Sequence, residues 1–433
     1  MQKIFYLCAL FLSMFAFCQS KKLVVTDDIQ RFWNTYDVIL QERDSIKQIE
    51  HIKEMYISKG TPGLSAIMQA RNYTAESYIY AIRNYPKFWS TIRNNTLSAN
   101  NYAKKIEKGL KKFNKIYPEA KPAKIYFTIG ALRTNGTTMQ DKVLIGAEVA
   151  MTDTKTYTEE IKNDFPYLIN YFNTNPINDL EFLNVHEYIH TQQKSTIGNS
   201  LLAQTMMEGA AEFLTEVTLK TKSPNPQIEF GFKNEEKIKQ EYSKEMFSPN
   251  VYNWLWNSPD NQFKMRDLGY FVGYAICKKY YEQAENKNQA IKDLIELDYN
   301  NENDLISLVD KANYFKQSVI NYKKEYENNR PYVTKIEQFE NGNQHVDSSI
   351  KQLTIHFSQP MNKNFRSFEL GPLGEKHLIR ITKVIGFSED GKSLSLEINL
   401  EPNKQLQLII DKGFRNTTNY HLKPYLIDIK TNK

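Results

Sequence analysis

The chain reads as an α+β protein, a mostly helical body containing one small β-sheet and followed by an all-β sandwich. Three observations carry this. Apolar residues recur at helical spacing over most of residues 26–118 and 178–326. Two β-type runs, residues 123–132 and 142–150, interrupt that pattern around Asn135-Gly136, a turn signal. After Asn328-Asn329-Arg330-Pro331 short alternating runs replace helical spacing altogether.

Residues 1–18 predict an export signal. Lys3 precedes an almost unbroken apolar stretch, and Ala16-Phe17-Cys18-Gln19 sets small residues three and one before a cut after Cys18. The mature chain is then expected outside the cytoplasm, periplasmic or extracellular. Lipid attachment at Cys18 is disfavoured, because Phe17 stands where a small residue is wanted. No later stretch approaches the roughly 20 apolar residues of a membrane span. With Cys8 and Cys18 removed, Cys277 stands alone of three cysteines, so stability must come from a buried core, which 41% hydrophobic residues supply.

Residues 19–120 are expected to form a helical region broken at Lys59-Gly60-Thr61-Pro62-Gly63, Pro86 and Pro118. The net charge is 56 minus 50, or +6, and Lys104, Lys105, Lys108, Lys111, Lys112 and Lys115 crowd one stretch. Tyr102, Ile106, Leu110, Phe113 and Tyr117 recur between them at helical spacing. The lysines are thus a solvated helix face rather than a nucleic-acid surface.

Residues 121–330 carry the chemistry. His186-Glu187-Tyr188-Ile189-His190 is followed after seventeen residues by Glu208-Gly209-Ala210-Ala211-Glu212. On a helix, residues four apart share a face, so His186 and His190 can hold one metal ion. Glu187 lies one position round, where its carboxylate reaches a metal-activated water as general base. With 7 His in the chain, a chance match to this pattern is expected about one time in a hundred. A catalytic zinc needs three protein ligands and an open position. One large class places a third His six residues after the second, but Thr196 stands there and Gln193 where its Gly would be. Beyond the pair no His lies between His51 and His345, which leaves a carboxylate, and Glu208 fits. Asn199-Ser200 reads as the cap of its helix, which places Glu212 one turn further along the same face.

These residues resemble the gluzincin metallopeptidases, the group of thermolysin and the aminopeptidase N relatives. The resemblance implies one Zn2+ per chain held by His186, His190 and Glu208, with Glu187 as base and Glu212 supporting a ligand from behind. Leu268-Gly269-Tyr270-Phe271-Val272-Gly273-Tyr274 extends it. A Tyr at a similar distance in the aminopeptidase N relatives stabilises the reaction's oxyanion, which transfers to Tyr270, with Tyr274 as rival; Arg266, just upstream, is a surface arginine or else anchors a substrate carboxylate or pairs with the intermediate. The combination is most similar to bacterial predicted Zn-dependent proteases. Gluzincins hold substrate backbone on the edge strand of a sheet ahead of the zinc helix, and Gly146-Ala147-Glu148 is either that edge or, the favoured reading, a structural turn or strand. Loops are expected near Pro224-Asn225-Pro226 and over residues 248–260, where Trp254 and Trp256 are either buried or line the cleft.

Residues 331–433 predict strands over 351–357, 378–386, 393–400, 406–410 and 425–429, punctuated by Asn341-Gly342, Asp390-Gly391 and Pro402-Asn403. The string LTIHFSQPMN, with SEDGKSLSLEI later, resembles bacterial Ig-like domains. Four of the seven His lie here without ligand spacing. The expectation is an exported zinc metallopeptidase acting on a peptide or protein. A non-catalytic surface binding module and a zinc hydrolase of a non-peptide bond are the alternatives.

Overall fold

Helix α1 (Asp27–Gln41) shows how the first part of the chain is assembled. Ile29, Phe32, Trp33, Tyr36 and Ile39 form its buried stripe, and the Phe32 ring meets Trp33, Tyr56 and Trp89 at 5.2–5.3 Å. Such pairs add about 0.5–1.5 kcal/mol each beyond the area they bury. The computed structural model describes residues 22–432, so the expected signal segment, residues 1–18, lies outside the described residues. The chain divides into two units, one running to Gln192 and including Thr215–Thr221, the other made of Gln193–Leu214 and the chain from Lys222 onward.

In the first unit each expected break is a helix boundary with a local cause. Helix α2 (Ser45–His51) runs into a π-helical turn, Ile52–Ile57. The Thr61 side chain accepts the Leu64 N–H and Pro62 takes the first position of α3 (Pro62–Arg71). Thr74 and Ser77 close a capping box on α4 (Ala75–Asn84), and Pro86 opens α5 (Pro86–Leu97). Helix α6 (Ala103–Ile116) buries Ile106, Leu110 and Phe113 and leaves five of its six lysines exposed.

The sheet comprises β1 (Val24–Val25), β2 (Lys124–Thr128), β3 (Gly136–Met139) and β4 (Lys142–Gly146) in the order β1-β2-β4-β3. Strands β1, β2 and β4 are parallel, and β3 runs antiparallel to β4. The Tyr56 hydroxyl fastens the helices to the end of β2 by donating to Ile129 O at 2.7 Å and accepting the Ile129 N–H at 3.0 Å. Two sequence expectations are corrected. The hairpin turns at Gln140-Asp141, with Gln140 at φ +54, whereas Gly136 of Asn135-Gly136 opens a strand. The run 142–150 is strand only as far as Gly146, and Ala147–Ala150 forms a helical turn, α7. Short buried apolar runs serve either structure, and here tertiary contacts choose. Because β4 is paired on both sides, Gly146-Ala147-Glu148 is no edge; β3 is. Helix α8 (Pro166–Phe172) precedes α9 (Leu180–His190), which packs on β3, β4 and α6.

Helix α10 (Leu201–Leu219) lies in the second unit as far as Leu214, and Ser200 Oγ accepts the Ala203 N–H at 3.2 Å, as the expected cap requires. The second unit resumes at Lys222 with α11 (Pro226–Lys233), α12 (Glu235–Glu245), α13 (Leu268–Gln283), α14 (Lys287–Glu296), α15 (Glu302–Lys311) and α16 (Val319–Asn329). A sheet β5-β6-β9-β8 follows, made of β5 (Val333–Ile336), β6 (Gln352–Phe357), β8 (Arg380–Phe387) and β9 (Ser393–Asn399). A second sheet, β11-β10-β7, contains β7 (Phe368–Glu369), β10 (Gln405–Ile410) and β11 (Tyr425–Lys430). Leu353, Ile355, Leu394 and Leu396 of one and Leu406, Leu408, Ile427 and Ile429 of the other share a single apolar core. Arg330 seals the entry to this part, donating to His421 O at 3.0 Å and Leu422 O at 2.7 Å while pairing with Glu327. The fold is α+β, and among the described residues no helix is long and apolar enough to cross a membrane.

Candidate metal centre

Helix α9 ends in the histidine motif, and its regular 3.6-residue turn stacks the two rings on one face. Their Nε2 atoms stand 3.1 Å apart with the rings 80° from coplanar. Two nitrogens bound to one tetrahedral zinc at 2.0–2.1 Å would be about 3.3 Å apart, so both lone pairs can converge on one ion. Glu208 of α10 completes the group. Ligand atoms of His186, His190 and Glu208 all lie within 4.8 Å of one another, and all three side chains are buried. Two imidazoles and a carboxylate are a set that several divalent transition metals accept, zinc among them, and three ligands leave positions open for water or substrate. The three residues can therefore hold a metal ion.

Burial of these groups is managed by neighbours. Gln204, one turn before Glu208, donates its Nε2–H to Glu208 Oε1 at 3.1 Å. Glu187, 8% exposed, lies against the start of β3, where a Cβ on Gly136 would stand 2.8 Å from its Oε1. Any other residue at 136 would push into the carboxylate. Gly136 donates its N–H to Asn135 Oδ1 at 2.8 Å, and Asn135 Nδ2 donates to the Tyr171 hydroxyl at 3.0 Å. Burial, first of all, pushes the Tyr171 phenol up to about 12, and the nearby Glu187 adds to the rise. Tyr171 therefore stays neutral. The dipeptide expected as a turn thus forms one wall beside the base.

The remaining candidates sit on α10, on α13 and, for Arg266, just ahead of α13. These helices cross backbone to backbone, since a Cβ on Gly209 would come within 2.1 Å of Gly273 C and one on Gly273 within 2.0 Å of Thr205 O. The glycines of both motifs are thus contact points that bring α13 against the turn holding Glu208. Glu212, fully buried, accepts from Ser223 Oγ and, at 2.8 Å, from Asn225 Nδ2. Tyr270 is half-buried in the first turn of α13, whereas Tyr274 is buried between the Phe213 and Phe232 rings at 5.6 and 5.9 Å. Arg266 is paired with Asp267 at 2.6 Å. Burial, outweighing Arg266, holds the Asp267 carboxyl above the usual range, and Glu208 is close enough to raise it further.

Sequence reasoning passed over Asn135, Gly136, Tyr171, Gln204 and Asp267. Only Gln204 left a readable signal, its spacing of four from Glu208; the others act across distances that no local pattern records.

No protein-family model and no curated protein matches the chain. Among solved structures it is similar to the S-layer protein rSbsC(31-844), at 11% identity, and to the surface layer protein SbsC, domains 1-6, at 13%. Each match covers 94% of this chain and 45% of that chain, so this chain spans less than half the length of either. The TM-score is 0.19 in both cases, which carries no argument about fold or function.

Proposed function

We propose that the chain is an exported zinc metallopeptidase of the gluzincin kind, with an Ig-like C-terminal module. The observation that supports it most is the convergence of His186, His190 and Glu208 beside a buried Glu187. A pure binding module would need the ligands but not the base. Export rests on the signal-like composition of residues 1–18.

In this reading His186, His190 and Glu208 hold the zinc, and Glu212 steadies the ligand wall from behind. Bound zinc supplies Lewis acidity and a water whose pKa falls from 15.7 to about 7. Glu187 would accept a proton from the attacking water and pass it to the leaving amine as the peptide C–N bond breaks. Gly136 keeps the Glu187 carboxylate unobstructed, and its Asn135–Tyr171 support holds that wall in place. The Tyr270 hydroxyl donates to the oxyanion as it develops, a contribution of roughly 3 kcal/mol for one donor.

The test is hydrolysis of a random peptide library by the purified chain, read by mass spectrometry, with chelator and after zinc is restored. Cleavage that chelator abolishes and zinc restores is expected. Turnover insensitive to chelator, or none with zinc bound, overturns the reading.

A further inference from the structure

The connection from β2 to β3, residues 129–135, is buried apart from Arg133 and the half-buried Asn135. Loops usually lie at the surface, because a buried one must find partners for its backbone polar groups inside the protein. Side chains from three other segments supply them here. The hydroxyl of Tyr56, in the π-helical turn, accepts the Ile129 N–H at 3.0 Å. Glu148 Oε2 accepts the Gly130 N–H at 2.9 Å, and its Oε1 accepts the Leu132 N–H at 3.1 Å. The Tyr73 hydroxyl accepts the Arg133 N–H at 3.1 Å. Glu148 thus spans the middle of the loop with both carboxylate oxygens. It comes this close because residue 130 is glycine: a Cβ there would stand 2.7 Å from Glu148 Oε1 and from the Tyr73 ring.

The segment that carries Glu148 also grips the far end of the loop. Gly146, just ahead of α7, donates its N–H to Asn135 O at 3.1 Å, and a Cβ on it would come within 2.2 Å of Thr134 O. Thr134 Oγ1 donates to Gly136 O at 2.5 Å. Leu132 sits at φ +65, a left-handed conformation that a bulky L-residue rarely adopts. Such strain persists where surrounding contacts enforce it, and it clusters at functional sites. The enforcing contacts are the Glu148 bond to the Leu132 N–H and the Tyr73 bond to the next one.

The loop leads directly to the candidate base. Gly136, the first residue of β3, faces Glu187 so closely that a Cβ would stand 2.8 Å from Oε1 and 3.0 Å from Cγ. The path from Glu148 to Glu187 is therefore one short stretch of backbone, held at residues 130, 132, 134 and 135 by a single turn of chain.

We propose that Glu148 is a positioning residue for Glu187: by holding the loop it fixes the Gly136 backbone and so sets where the Glu187 carboxylate stands. The role of Glu187 is taken from the peptidase reading above, on which this inference rests. Glu148 is fully buried with both oxygens occupied by the loop, so it acts through Glu187 rather than on substrate.

The test is a double-mutant cycle on zinc-loaded chains, read by calorimetric binding of acetohydroxamate. Its two oxygens chelate zinc, and the proton it releases is held by a carboxylate beside the metal, so affinity reports where Glu187 stands without any turnover. Glu187→Gln should weaken binding. Glu148→Ala should weaken it about tenfold when Glu187 is present and leave it unchanged in the Glu187→Gln chain. Glu148→Gln, which keeps one acceptor for the loop, should fall between. Hydrogen exchange over residues 129–136 should quicken about tenfold in Glu148→Ala. If that variant does not fold by circular dichroism, Tyr73→Phe, which removes only the Arg133 acceptor, carries the same cycle with a smaller effect. Equal losses with and without the Glu187 carboxylate, or unchanged affinity and exchange in Glu148→Ala, overturn the positioning role. A coupled cycle in a chain whose zinc-loaded wild type cleaves no peptide leaves that role standing and defeats the peptidase reading; chelator-sensitive cleavage with an additive cycle does the reverse.

Discussion

In α9 two histidines stand four residues apart and bring their Nε2 atoms to 3.1 Å, whereas in the C-terminal sandwich three of the four histidines each bond a separate partner through the ring. His356 on β6 meets Glu337 at 2.8 Å, the His377 ring is bonded to Gln405 O at 2.8 Å, and the His421 ring to Lys412 O at 2.6 Å. Burial, chiefly, holds the His421 imidazole below its ordinary value, so it stays neutral where it sits. His345 lies exposed in a turn. Residue type is the same in both regions and the count favours the sandwich. What differs is the scaffold: a helix repeats a direction every turn and stacks its ligands, while these sandwich histidines come from separate strands and loops and share no focus. A metal centre follows from convergence, not from abundance.

The sharpest break of that comparison is to remove one partner on each side. His186→Ala or His190→Ala should abolish both zinc retention and hydrolysis, while His356→Ala and His377→Ala keep zinc near one per chain by elemental analysis. Zinc lost with the sandwich variants and kept with the helix variants would reverse the assignment. A smaller effect separates ligand from base within α9. Glu187→Gln should leave zinc content unchanged and lower turnover by roughly 10^2 to 10^4; full activity at the same zinc content would refute the mechanism while sparing the metal site. Smaller again is the contrast on α13. Tyr270→Phe should keep zinc and substrate binding and lower kcat about a hundredfold. Tyr274→Phe, whose ring is packed between Phe213 and Phe232, should change kcat far less; a loss confined to Tyr274 would move the role there.

The smallest expected effect sharpens the comparison of buried titratable groups. Glu148 accepts the Gly130 N–H at 2.9 Å and the Leu132 N–H at 3.1 Å in the loop that leads to Asn135-Gly136. Burial outweighs these two donors and pushes its carboxyl from 4.5 up to about 7. A raised carboxyl favours the protonated folded chain, so its contribution is fully present below the unfolded value near 4.5 and is lost as pH rises through 7. The span is at most about 3 kcal/mol. Urea unfolding at pH 5 and pH 8 should show wild type losing stability across that interval relative to Glu148→Gln. Parallel pH profiles of the two would remove Glu148 from the account. His421, with its lowered value, has the opposite sign: its contribution is present above the unfolded value and is lost as pH falls through the folded one.

Much of this molecule was legible along the chain because its information is periodic. A spacing of four put His186 and His190 on one face, and the same helical period separated the lysines of α6 from Ile106, Leu110 and Phe113. Period-two runs located β6, β8, β9, β10 and β11 within a residue or two, and Ser200 announced the start of α10. Spacing also singled out Glu208, though only the tertiary structure brings its carboxylate within 4.8 Å of the histidine nitrogens.

Other features depend on residues remote in sequence and left no local mark. Nothing near Asn135-Gly136 tells that its glycine clears space for Glu187, so the dipeptide reads as an ordinary turn. The run 142–150 is equally apolar as strand or helix, and its change at Gly146 is decided by where Glu148 finds the Gly130 and Leu132 donors. Gly209 and Gly273 acquire meaning only against each other, and the outward turn of Trp256 only against Asp267. Local sequence sets which face an element buries, because side-chain direction follows the backbone period. What that face meets is set by packing between distant segments, and there the tertiary structure alone decided the walls around the candidate centre.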